Sequence, residues 1–110
     1  MTRGIQESDW KKFKHLHQVA LDRFCSRVLI EIAEIAADSS QTPHRRYLAV
    51  YDTIQYRDRE ILKKFDEPRR STALWQLAAL RSCGLVGDEE FMTFTEETRS
   101  LIKVYLDDGI

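Results

Sequence analysis

The chain is poor in residues that break helices and in residues that build cofactor sites. It has four glycines and two prolines in 110 residues. That composition suits helices better than hairpins, and no glycine-rich phosphate loop can be drawn from it. There are only two cysteines, Cys25 and Cys83, with no metal-ligand spacing around them. Both are expected as buried free thiols of a reducing compartment. No run of about 18 apolar residues occurs, so no membrane contact is expected. The opening residues, MTRGIQESDW, carry no apolar signal core, which points to the cytoplasm. Net charge is −1, which does not recommend nucleic acid as a partner. Alternating strand patterns, internal repeats and low-complexity segments are absent. Nothing legible pairs a nucleophile with a base on a strained turn, and no cofactor motif occurs, so no cofactor is expected.

What is present is amphipathic helix. The 43% apolar share supplies a core and the 32% charged share supplies solvated helix faces. One helical domain is expected over residues 8–107, with 1–7 as a flexible lead-in and 108–110 as a frayed tail. Its helices are expected at about 8–38, 43–65, 68–83, 88–92 (short) and 95–106. The fold class that follows is all-α, a small four-helix bundle built on a long N-terminal helical hairpin.

The first helix organises the rest. Ser8 can cap it, and Asp9 suits its positive end. Trp10, Phe13, Leu21, Phe24, Val28, Ile32 and Ile35 fall in one broad stripe. The run from Val28 to Ala37, VLIEIAEIAA, also places Leu29, Ile30 and Ala33 outside that stripe. A helix apolar on every side is normally covered from several directions. Either this is the centre of a bundle or a second copy of the chain packs on it. At ~1.5 Å per residue the helix is about 45 Å long, which is long for so small a domain and favours a homodimer. Ile5 is placed to fold back as a hydrophobic staple.

Thr42-Pro43 restarts the chain with a threonine cap and proline in the first turn, making helices 1 and 2 antiparallel neighbours. Tyr47, Val50, Tyr51, Ile54, Ile61, Leu62 and Phe65 form the apolar face of helix 2. Asp66-Glu67-Pro68 interrupts it. Helix 3 carries ALWQLAAL and stops at Gly84. Thr93 with Glu96 has capping-box spacing, and Thr95 is a competing cap for the last helix, whose Leu101, Ile102 and Tyr105 point inward. Residues 88–110 carry seven acidic and two basic side chains, so this acidic end is expected to lie against basic segments earlier in the chain.

Four sets of residues are candidates for chemistry. His17 and Asp58 each lie mid-stripe on their helices, with Arg23 and Arg27 as the cations nearest Asp58; the ordinary role of such a buried polar set is to fix helix register. An acid–base pair is the alternative. Arg69, Arg70, Ser71 and Thr72 at the start of helix 3 combine guanidiniums, hydroxyls and free amides, which could bind a small anion or phosphorylated ligand. His15 and His17 splay too far apart on a helix to share a metal, and the neighbouring Lys11, Lys12 and Lys14 form a solvated face.

Glu31 and Glu34 form E-x-x-E on one helix, which resembles the Mg²⁺-binding pair of all-α nucleotide pyrophosphohydrolases of the MazG type. The resemblance covers these few residues only. The E-x-x-D pair that this family carries on a following helix is absent from helix 2, so the resemblance supplies half of a metal site. The leading expectation for function is therefore a non-enzymatic, self-associating protein-interaction or regulatory module. An anion binder and a carboxylate–metal hydrolase are the alternatives.

Overall fold

The computed structural model describes residues 5–107. Over these residues the chain is all-α, with no strand. Its helices are α1 (Glu7–Ala36), α2 (Pro43–Lys64), α3 (Ala73–Ser82), α4 (Asp88–Met92) and α5 (Glu96–Asp107). The core gathers the N-terminal half of α1, helices α3 and α5, and the connections between them. Phe13, Leu77, Leu80, Leu85 and Ile102 are completely buried there. Each contributes about 1.5–3 kcal/mol of hydrophobic stabilisation.

The second half of α1 leaves this core and runs on with α2 as a two-helix hairpin. The molecule is correspondingly elongated, 59 × 25 × 24 Å. Its radius of gyration is 17.1 Å, against ~13 Å for a compact domain of this length.

Local chemistry explains most boundaries. Gln6 caps α1 in place of Ser8, with an extended backbone and no side-chain cap bond. Its side chain reaches instead to Glu97 at 2.8 Å. Ile5 is buried in the same cluster as Trp10. Of the described lead-in residues, Ile5 packs into the core while Gln6 and Glu7 stay exposed and make polar contacts to Glu97 and Arg70. The rest of the expected lead-in, and the expected tail at 108–110, fall outside the described residues. At the other end of α1, Asp38 accepts from the Ser40 amide and hydroxyl, an Asx-type turn that ends the helix. Thr42 Oγ1 accepts from the Arg45 amide, capping α2 as its sequence suggests.

Helix α3 begins five residues later than expected. Phe65 turns into the core at the end of α2, between His17 and Phe24. The chain from Asp66 to Arg69 then crosses without helical structure, held by a 3.0 Å bond from Gln76 Nε2 to the Asp66 carbonyl. At the end of α3, the Leu85 amide bonds to the Leu80 carbonyl and the Gly84 amide to that of Arg81. This is a Schellman stop, and Gly84 supplies its left-handed residue at φ +73°.

Candidate functional site

Four settings hold most of the polar residues that the sequence singles out, while His15, Lys11, Lys12 and Lys14 stay exposed on α1. The first is the aromatic column inside the core. His17 lies edge-on to Phe13, ring centroids 5.8 Å apart, and to Phe65 at 5.6 Å. It is 7% exposed, and its Nε2 has no hydrogen-bond partner. Burial pushes its pKa below the usual histidine value, against a smaller opposing pull from the Asp66 backbone. An imidazole whose charged form is disfavoured by burial among phenyl rings is a packing residue with a latent polar atom.

Asp58 does not join it. Asp58 is exposed on α2 and has no hydrogen-bond or ion-pair partner among the described residues. The expected buried polar set therefore does not form. The physical reason is that no further helix covers this part of α2, so the carboxylate keeps its water. Arg23 and Arg27 also turn elsewhere. Arg23 makes a two-pronged contact with Glu90, 2.6 and 2.8 Å, and donates to the Leu85 carbonyl. Arg27 donates to the carbonyls of Cys83 and Gly84 at 3.0 and 2.8 Å. Together they pin the α3–α4 turn to α1. Glu90 is the acidic partner that the charge imbalance of the sequence foreshadowed without naming, and Arg23 holds its carboxyl below the ordinary range.

The second setting is a buried carboxylate that stands in the sequence as a simple helix-end charge. Asp9 is fully buried. It accepts from Thr98 Oγ1 at 2.6 Å, from Thr95 Oγ1 at 2.7 Å and from the Thr95 amide at 3.1 Å. Thr95 Oγ1 also accepts from the Thr98 amide, so the Thr95 cap of α5 is tied to α1 through one side chain. The T-x-x-T spacing was the available signal, but nothing local pointed to Asp9.

The third setting is the turn before α3. Arg69, Arg70, Ser71 and Thr72 precede the helix instead of forming its first turn. Arg70 pairs with Glu7 and lies over the Trp10 ring, 5.5 Å from its centroid. Thr72 Oγ1 bonds to the Arg69 carbonyl and to Gln76. Two of the four side chains, those of Arg70 and Thr72, are thus engaged within the chain.

The fourth setting is the projecting hairpin, whose two sides differ in kind. One groove is lined by Cys25, Val28, Leu29, Ile32, Ile54 and Ile61, with Arg57 and Asp58 as its charged members. The opposite side carries Glu31, Glu34, Asp38, Arg45 and Arg46, then Arg27, Arg57, Glu60 and Lys64. Arg57 bonds to both oxygens of Glu31 at 2.9 and 3.1 Å and also to Glu60, which Lys64 contacts at 3.2 Å. Glu31 is therefore engaged by a guanidinium, and its carboxyl is held below the ordinary range. Among the described residues no three His, Cys, Asp or Glu side chains converge as metal ligands.

On the apolar side the exposure is large. Leu29 is 67% exposed, Tyr47 67%, Tyr51 53% and Ile54 50%. Ile30 and Ala33 are also open to solvent, and among the described residues of the run from Val28 to Ala37, Val28 is the one that packs against the core. No helix among the described residues is long and apolar enough to cross a membrane. Compared with known proteins, the chain matches no protein family, no curated protein and no solved structure.

Proposed function

We propose that this chain is a non-enzymatic helical module that acts by self-association, as a homodimer formed through the apolar side of the α1–α2 hairpin. The N-terminal half of α1 with α3, α4 and α5 anchors that hairpin, and a second hairpin completes a four-helix bundle outside the core. The observation that carries this reading is the sidedness of the hairpin. Leu29, Tyr51 and Ile54 are half exposed or more, while the opposite side is tied up in the Glu31–Arg57–Glu60–Lys64 chain of ion pairs.

Exposed apolar side chains gathered along one groove of a small chain mark an interaction site. Full burial of a Leu or Ile is worth about 1.5–3 kcal/mol, so a handful of such residues can offset the entropy of association. The alternatives draw less support. Glu7 and Trp10 engage Arg70 of the anion candidate, and Arg57 engages Glu31 of the metal candidate.

Sedimentation velocity over the micromolar range tests the reading. The expected result is a concentration-dependent dimer that Ile54→Glu converts to monomer with its helical circular dichroism unchanged. A wild-type chain that stays monomeric throughout would sink it.

A further inference from the structure

Resting on that reading, the pattern on α2 says which way round two copies meet. Tyr47, Tyr51, Ile54, Asp58 and Ile61 recur at alternating steps of four and three, which is the seam of a coiled coil. Four of the five are apolar or aromatic, and a single carboxylate interrupts them. A lone polar residue in such a seam costs stability unless it finds a partner, and for that reason it selects register and orientation.

We infer that the hairpins pair antiparallel about a two-fold axis near the middle of the exposed part of α2, so that each Asp58 accepts a hydrogen bond from the phenol of the partner's Tyr47. The exposed members of this seam are Tyr47, Tyr51, Ile54 and Asp58, spaced by four, three and four, while Ile61 packs against the core. Full antiparallel overlap of the exposed members brings the level of residue 58 onto that of residue 47, with Tyr51 beside Ile54 between them. Tyr47 is 67% exposed, and its hydroxyl makes no hydrogen bond among the described residues. A phenol donates one proton and an ionised carboxylate only accepts, so the two are chemically complementary.

The parallel alternative offers no such match. With both tips at one end, α2 of one copy lies over α1 of the other. Asp58 then faces the partner's counterpart of its own neighbours in the groove, Cys25 and Leu29. Neither donates well to a carboxylate, and the charge would be buried unpaired.

The shared face measures roughly 25 by 20 Å from helix rise and interhelical spacing, a flat footprint of about 500 Å² per partner. That is the low end of the interface range and fits a dimer that forms at micromolar concentration. The antiparallel arrangement also keeps the two α3–α5 units at opposite ends, clear of each other.

The test is a distance measurement between tips. In a Cys25→Ser, Cys83→Ser background, Gln41→Cys is labelled with a nitroxide and measured by double electron–electron resonance. Antiparallel pairing places the two labels about 35 Å apart and parallel pairing places them under about 20 Å, from the helix rise. Tyr47→Phe and Asp58→Asn should each weaken association about tenfold or more, the usual worth of a hydrogen bond to a charged group. The double variant should weaken it little further. Asp58→Leu should still dimerise but give both distances, because the residue that selects orientation is gone. A dimer with only the short distance, or one indifferent to Tyr47→Phe, overturns the antiparallel arrangement and leaves self-association standing. A chain that is monomeric at tens of micromolar removes both and leaves the face to a partner of different sequence.

Discussion

Thr98 donates a 2.6 Å hydrogen bond to Asp9 across 89 positions of sequence, and both side chains are buried. Two hydroxyls and one amide converge on that single carboxylate. Asp9→Ala leaves all three donors without an acceptor in the interior, so it should cost about 3 kcal/mol of stability. Asp9→Asn keeps one carbonyl oxygen and should cost less. Urea unfolding monitored by circular dichroism gives both values. Equal losses in the two variants would mean that the carboxylate is not the organising group.

His17 makes stability depend on pH in a defined direction. Its pKa in the folded chain lies below the ordinary 6.5, with burial as the main cause. The unfolded chain therefore binds a proton at a pH where the folded chain does not. Stability is fully present above the ordinary value and falls as the pH drops through it toward the lowered one. The melting temperature should decline from about pH 7 toward pH 5, and His17→Leu should flatten that decline.

Arg23 is a weaker fastener than Asp9 because it is more exposed. It bonds to Glu90 and to the Leu85 carbonyl, with side-chain exposures of 43% for Arg23 and 33% for Glu90. Arg23→Ala should cost about 1 kcal/mol, and part of that loss should vanish in high salt. Glu90 is held below its ordinary 4.5. The stabilisation that it shares with Arg23 is present above that value and is lost as the pH falls through the lowered one. Denaturant titrations at two salt concentrations separate this pair from the buried carboxylate.

Gly84 is required for its backbone and not for space. A Cβ there would meet Arg27 Nη2 at 3.7 Å, an ordinary contact. Its φ of +73° is the difficulty, and Gly84→Ala should cost about 1–2 kcal/mol through that conformation alone. A thermal melt that does not move would mean that the turn relaxes by another route.

Protection of backbone amides should follow coverage. Amides in the buried segment around Leu77 and Leu80 should exchange through global unfolding. Those near the hairpin tip, around residues 33–47, should exchange through local opening and therefore faster. If the hairpin pairs with a second copy, hydrogen–deuterium exchange at the tip should slow as protein concentration rises.

The local rules were legible residue by residue. Few glycines and prolines together with helical periodicity allow only an all-α chain, and Thr42-Pro43 and Gly84 announce a helix start and a helix stop wherever they occur. The excess of apolar residues between Val28 and Ala37 was equally plain, because it is a property of composition and spacing. Which sides of that segment are covered depends on where the other helices go, and that is settled over long distances. Phe65 leaves the axis of α2 for a place beside His17, so the chain crosses to the N-terminal half of α1 and α3 starts late. Asp58 consequently remains in water, while Asp9, unremarkable in sequence, is enclosed by a helix almost ninety residues away. A side chain's type states what it needs, but only the packed chain decides whether protein or solvent supplies it.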